Sequence, residues 1–338
     1  MSDLVRSAAL TDYAEVARSV GLDPLQMLRR VGIGLAALQE PDLMVPADAV
    51  RQLLEDSAAQ SHTENFGLRM AERRRLSNLG PVGLLARDEP TLRLALQAMI
   101  RYGSLHNQAL HVDIEEAGGI ATIREELLTG SGAVRQSIEL TLGALMRILR
   151  VLLGQDWAPR RVCLMHPQPT DASLHHRLLG RRLDFGQAFN GIVCTSADLD
   201  TPLAASDPVM ARYARQTLEA ALPRGSDRLA HELRQLMLVL LPTGRCSVEQ
   251  VAQHLGMTRR TLHRQLAERG QSFSALLQAL RLELTARYLE QPGRPLAEVA
   301  QQLGFSAQSA FSRWHRQHRG LSPRQSHTPK RKPPELPL

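Results

Sequence analysis

The chain has 338 residues, long enough for more than one core, with 41 Lys and Arg against 34 Asp and Glu and only 4% aromatic residues. Its three cysteines (Cys163, Cys194 and Cys246) form no C-x-x-C pair. No apolar run approaches a membrane span, and Met1-Ser2-Asp3 lacks the layout of a signal peptide. A zinc ribbon, a disulfide scaffold and a membrane protein are thus set aside in favour of a soluble cytoplasmic one.

In chain order, the first 74 residues predict helices over Leu4–Val20, stopping near Gly21, then over Pro24–Val31, Pro46–Ala59 and Phe66–Arg74. The triplet Arg73-Arg74-Arg75 is expected to be a solvated helix end, where cations are favoured. Leu79-Gly80-Pro81-Val82-Gly83 predicts a turn, and Thr91–Leu105 a further helix. The period then changes. Ala109–Glu116 and Ile120–Glu126 alternate about Gly118-Gly119, predicting a β-hairpin. Val134–Leu153 predicts a long apolar helix, which is either a core helix or one that packs a dimer. Arg161–Met165, Leu183–Phe189 and Gly191–Cys194 predict short strands, Leu174–Leu179 a helical turn and Pro208–Leu222 a helix. Residues 1–222 are therefore expected to be an α+β domain, and Pro223-Arg224-Gly225-Ser226 a linker.

The remainder predicts an all-α domain over residues 227–327 and a disordered, proline-rich tail over 328–338. Residues 227–338 hold 17 basic against 8 acidic side chains, whereas residues 1–226 hold 24 against 26. The basic surplus thus belongs to the C-terminal third, which favours a polyanion partner, nucleic acid before membrane.

A repeat organises this region. Val251-Ala252-Gln253-His254-Leu255-Gly256 recurs 48 residues later as Val299-Ala300-Gln301-Gln302-Leu303-Gly304. In the first copy, Ser247 with Gln250 reads as a capping box. Val248, Val251 and Leu255 share one face, Gly256 closes the helix, and Thr258 caps a second helix whose buried side is Leu262 and Leu266. In the second copy, Pro295 suits the helix start, Gly304 turns the chain, and Ser306 is expected to cap a helix burying Ala310, Phe311 and Trp314. Each copy predicts a helix-turn-helix, the second with a turn one residue longer, and Phe273–Glu290 predicts a helix joining them.

A helix-turn-helix presents its second helix to the DNA major groove. Burial of the leucines in the first unit leaves Arg259, Arg260, His263 and Arg264 outward. In the second unit Gln308, Ser309, Ser312, Arg313 and Arg316 remain outward. Arg pairs bidentately with guanine and Gln with adenine, and Ser, His and Arg reach phosphates. The 18-residue connecting helix spans roughly 27 Å. It can place two second helices about one DNA turn (~34 Å) apart. One chain would then read an asymmetric site about two turns long.

These motifs resemble the DNA-binding domain of the AraC/XylS family of bacterial transcription regulators. The carriers are Leu255 through Arg264, Gly270-Gln271-Ser272-Phe273, Arg281 through Leu289, Leu303 through Arg313, and Gly320-Leu321-Ser322-Pro323. The resemblance implies two helix-turn-helix units, promoter double-stranded DNA and RNA polymerase as partners, and an outcome that is usually activation. Its DNA contacts carry over to Arg260, His263, Arg264, Gln308, Ser309, Ser312 and Arg313. The chain departs from the family at His315, where an aromatic is usual and where neighbouring Trp314 is expected to supply the packing. It departs again after Pro323, where Arg324-Gln325-Ser326-His327 replaces the usual Pro-x-x-Tyr-Arg ending.

The N-terminal region resembles the arabinose-binding-like sensing domain of one AraC subgroup, through Gly21-Leu22-Asp23-Pro24, Phe66-Gly67-Leu68, Leu79 through Leu85 and the Leu92–Tyr102 helix. That implies an unidentified small-molecule effector and a homodimer. An effector-independent regulator, controlled by abundance or a protein partner, is the alternative. A shape-only architectural binder is disfavoured because it needs no unlike outward faces. His62, His106, His111, His166, His175 and His176 show no metal-binding spacing, and no nucleophile or phosphate-loop motif occurs, so neither enzyme, metal nor cofactor is expected.

Overall fold

The computed structural model describes residues 3–128, 132–222, 226–242, 244, 246–290 and 295–326. The chain divides into two units, Met1–Thr129 with Ala133–Leu222, and Pro223–Leu338.

The N-terminal unit begins with β1 (Leu4–Arg6), α1 (Tyr13–Ser19), α2 (Pro24–Arg30), β2 (Met44–Pro46), α3 (Ala47–Gln60), α4 (Phe66–Ala71), α5 (Pro81–Asp88) and α6 (Leu92–Tyr102). The hairpin β3 (Leu110–Ala117) and β4 (Ile120–Leu127) comes next, then α7 (Arg135–Leu153), β5 (Arg161–Leu164), α8 (Ser173–Leu179), β6 (Leu183–Phe185), β7 (Asn190–Thr195), α9 (Ser196–Leu199) and α10 (Pro208–Ala221). The main sheet runs β3-β4-β7-β5-β6, with only the β5–β6 pair parallel. That pair is joined through α8, as a parallel connection requires a crossover. Gly118 and Gly119 both have positive φ (58° and 77°), the conformation of a tight two-residue hairpin turn.

Along β4 the alternation puts Ala121, Ile123, Glu125 and Leu127 on the buried face. Helix α7 packs on β4, β7, α3, α4 and α8. Its residues Ile138, Leu142, Leu145, Met146 and Leu149 are buried, which makes it a core helix. Two glycines allow the α4–α7 approach. A Cβ on Gly67 would stand 1.9 Å from the Gln136 carbonyl oxygen, and one on Gly143 would stand 2.5 Å from the Ala71 Cβ.

Several expectations are corrected. Leu4–Val20 is not one helix: Leu4–Arg6 pairs antiparallel with Met44–Pro46, and Asp12 turns the chain at φ 63° before α1. Strand pairing distant in sequence overrides the local periodicity. Arg74 is not solvated. It is buried and donates to the carbonyls of Ala8 and Ala9, and burial pulls it down to about 10. Arg73 pairs with Glu15. The expected turn over Leu79–Gly83 gives way at Pro81 to helix α5, and β6 ends at Phe185, before Gly186 at φ 68°.

The C-terminal unit is helical: α11 (Ser226–Leu240), α12 (Val248–His254), α13 (Arg259–Ala267), α14 (Phe273–Glu290), α15 (Leu296–Gln302), α16 (Gln308–Arg319) and α17 (Pro323–Ser326). Leu233, Met237 and Leu241 are buried, as are Phe273, Leu280, Leu284 and Tyr288 of α14. Arg234 forks onto Glu283 with two bonds of 2.8 Å, tying α11 to α14. Residues 223–225 of the expected linker and the tail 328–338 lie outside the described residues.

Gly67→Ala is expected to lower stability by about 1–3 kcal/mol or more, because the obstructing atom is backbone. Gly103→Ala, with nothing within 4 Å of its Cβ position, should be close to neutral. Urea unfolding of the two variants checks the contrast, and equal losses would remove the packing explanation.

Candidate DNA-binding surface

Both helix-turn-helix units close their first helix in the same way. In the first, Gly256 (φ 64°) donates to Gln253 and Met257 donates to Ala252, at 3.0 and 2.9 Å. In the second, Gly304 (φ 70°) donates to Gln301 and Phe305 donates to Ala300, both at 2.9 Å. This bond pair is the Schellman ending, which requires a left-handed residue that glycine adopts without a Cβ penalty. Val251 and Ala252 are buried, as are Val299, Ala300 and Leu303.

The second helices start differently. Thr258 accepts the Thr261 amide at 3.1 Å and caps α13. Helix α16 begins at Gln308 from Ala307, with no side-chain cap, so the expected role of Ser306 is not realised. The extra turn residue moves the helix start one position past the repeat interval. Residues 259–267 of α13 then correspond to 308–316 of α16, and Leu262 and Leu266 correspond to Phe311 and His315.

All four of these inward residues are buried. His315, rather than Trp314, fills the inner position. Its ring lies 5.8 Å from that of Phe311, and its Nδ1 donates to the Leu321 carbonyl at 2.8 Å. A buried polar ring is tolerated because it is hydrogen-bonded. Ala310 and Trp314 are only half-buried.

On α13, Arg259, Arg260, His263 and Arg264 are all exposed. Arg259 pairs with Glu249 at 2.8 Å and reaches towards His263, and Arg264 lies 3.7 Å from Glu268. Such exposed pairs are weak and readily exchanged for a phosphate. On α16, Ser309, Arg313 and Arg316 are exposed while Gln308 and Ser312 are half-buried. Ser309, Ser312, Arg313 and Arg316 form one stripe at helical spacing, and no acidic residue occurs from Gln308 to Arg319.

One supporting residue is not marked by the helix-turn-helix pattern. Arg281 of α14 donates through Nε to the Leu303 carbonyl at 3.0 Å and lies 4.6 Å over the Phe305 ring. It holds the second unit's turn on the connecting helix. Its signal in the sequence is an arginine set between Leu280 and Leu282 in that helix.

Residues 21–203, more than half of the chain, match the family described as the arabinose-binding domain of AraC transcription regulator, N-terminal. The chain belongs to the AraC family of transcription regulators. Residues 251–327 match a helix-turn-helix domain family. This AraC-family chain is 33% identical over 328 residues to the HTH-type transcriptional regulator VirS of Mycobacterium tuberculosis, covering 96% of each. It is 27% identical over 276 residues to the ornithine utilization regulator of Pseudomonas aeruginosa, covering 80% of this chain and 81% of that one. It is therefore a DNA-binding transcription regulator, not an enzyme. Among its described residues no helix is long and apolar enough to cross a membrane.

The N-terminal unit of the regulator holds a cavity of about 730 Å³, lined in part by Glu55, His62, Glu64, Asn65, Arg69 and Arg135. Burial raises the Glu55 carboxyl above its usual range, against the Gln136 amide that donates to it at 2.7 Å. Beside it, Glu139 of α7, His166 just after β5 and His175 of α8 converge, each offering a ligand atom within 4.8 Å of the others. Burial is the largest influence on His166 and takes it below the ordinary imidazole range. Separations of 27 and 9 residues across three elements follow no metal-binding pattern, which is why residue order conceals the group.

Gly256→Ala is expected to cost roughly 1–2 kcal/mol for its left-handed backbone alone. Gly304→Ala should cost more, because an added Cβ would also stand 2.6 Å from the Leu241 carbonyl oxygen. Chemical denaturation ranks the two; an equal loss would remove the close-approach argument.

Proposed function

We propose that this regulator reads promoter DNA with α13 and α16 in successive major grooves, and that it activates transcription by RNA polymerase in response to a small-molecule effector. The observation that carries the reading is the pair of exposed, unlike faces: Arg259, Arg260, His263 and Arg264 on one helix, and Gln308, Ser309, Ser312, Arg313 and Arg316 on the other. Arg264 and Arg313 occupy corresponding positions and are the guanine-reading candidates, while Gln308 suits adenine. The α14 helix, 18 residues long, spaces the two.

The cavity beside α7 has the size of a ligand pocket. Its carboxylates and guanidinium groups suit a polar, charged effector rather than an apolar one. The domain range is 1–222 for sensing and dimerisation and 227–327 for DNA, acting in the cytoplasm. Most of the α7 helix faces the core, and another surface is the better candidate for a homodimer. Val209, Met210 and Tyr213 of α10 are exposed apolar side chains at one end of the helix.

In gel shifts on a promoter fragment, Arg264→Ala and Arg313→Ala should each weaken binding about tenfold or more, in line with roughly 1–3 kcal/mol for a bidentate base contact. Wild-type affinity in folded variants, or a footprint confined to one major groove, would sink the reading. In sedimentation the full chain is expected to be a dimer that Tyr213→Asp dissociates. A monomeric wild type would reject the dimer, and a dimeric variant would reject the α10 surface.

A further inference from the structure

We propose that Glu139, His166 and His175 of the N-terminal domain bind a divalent transition-metal cation of the zinc type. The contact between His166 and Glu139 has no hydrogen in it. The His166 Nδ1 lies 2.8 Å from the Pro167 carbonyl oxygen, which can only accept, so Nδ1 carries the hydrogen. The neutral ring then has a bare lone pair on Nε2. That atom lies 3.2 Å from the Glu139 carboxylate Oε1, itself rich in lone pairs, and makes no hydrogen bond. His175 Nε2 donates to the same oxygen at 3.1 Å, which leaves its Nδ1, like Oε2 of Glu139, buried without a partner. Glu139 and His175 are fully buried, and so is the Nε2 atom of His166, which keeps the contact away from the surface.

A cation placed among the three atoms turns this repulsion into ligation. Two imidazole nitrogens and one carboxylate oxygen suit zinc. Ligand atoms ~2.0–2.1 Å from a tetrahedral zinc stand roughly 3.4 Å from one another, close to the 3.1 and 3.2 Å separations seen here. The His166–Pro167 bond is also the arrangement that orients metal-bound histidines, with the second ring nitrogen donating to a carbonyl. Phe185 packs 5.6 and 5.8 Å from the His166 and His175 rings and limits their rotation. Three protein ligands leave a fourth position for water.

Arg135 opposes the cation. Its Nε donates to Glu139 Oε1 at 2.8 Å, and one terminal nitrogen is buried without a partner. The side chain also lines the cavity. Metal uptake would compete with this ion pair, so removing the guanidinium should strengthen binding.

The test uses chelator-stripped, tag-free full chain titrated with Zn²⁺ alone against a competing chelator. One equivalent per chain is expected, with a raised melting temperature, since a ligand that binds only the folded state stabilises it. Folded His166→Ala should bind at least about tenfold more weakly and lose the zinc-dependent shift. Arg135→Gln should bind more tightly than wild type, and Co²⁺ in place of Zn²⁺ should give the intense visible bands of tetrahedral coordination. Absence of stoichiometric uptake by wild type, or uptake by folded His166→Ala equal to wild type, would overturn the proposal. Glu139→Gln is the second ligand variant, and circular dichroism establishes its folding before its binding is compared.

Discussion

The DNA-binding unit depends on how a helix is stopped. Gly256 and Gly304 leave their helices through the same left-handed residue and the same pair of hydrogen bonds. The second helix of each unit is thereby aimed, and Ala252 and Ala300, small and buried, let it approach. An L side chain at the left-handed position would tax each turn, and at Gly304 the Leu241 carbonyl excludes a Cβ outright. The repeated Val-Ala-Gln-x-Leu-Gly frame is thus a solution to one backbone problem, used twice.

Beyond each turn the two units are free to differ, and they do. The first unit spends Thr258 on a cap and Leu262 and Leu266 on its core. The second starts one residue later without a side-chain cap, then recovers order from Arg281 over Phe305 and from His315 bonded to Leu321. At position 315 a polar ring takes the structural place that leucine holds in the first copy. The outward positions, relieved of packing duty, are where Arg260 and His263 diverge from Ser309 and Ser312, while Arg264 and Arg313 stay the same.

Helix and turn positions in this unit were legible because short-range chemistry decides them: periodic leucines, a Thr cap, glycines at positive φ. The hairpin at Gly118-Gly119 was legible for the same reason. Elements decided at long range were not. Leu4–Arg6 has helical spacing but pairs with Met44–Pro46. Arg74 sits in a basic triplet but is drawn inward by the carbonyls of Ala8 and Ala9. His315 looks like a lost aromatic until Leu321 supplies an acceptor. Glu139, His166 and His175 are separate in sequence and meet only because α7, the end of β5 and α8 do.

The N-terminal unit breaks local rules where the C-terminal unit keeps them. Among the described residues, the buried side-chain atoms lacking partners belong to Arg124, Glu125, Arg135, Ser137, Glu139, His166 and His175, all in the N-terminal unit. Glu125 lies on the buried face of β4, and burial pushes its carboxyl up to about 7. Orphaned buried polar groups cost about 1–3 kcal/mol each. Natural folds keep such defects mainly where function requires them. Five of the seven lie on β4 and the first turns of α7, and Arg135 also lines the cavity. The frame around them is close-packed where Gly67 and Gly143 bring α4 hard against α7. A well-packed frame is what can hold such partly satisfied groups in place.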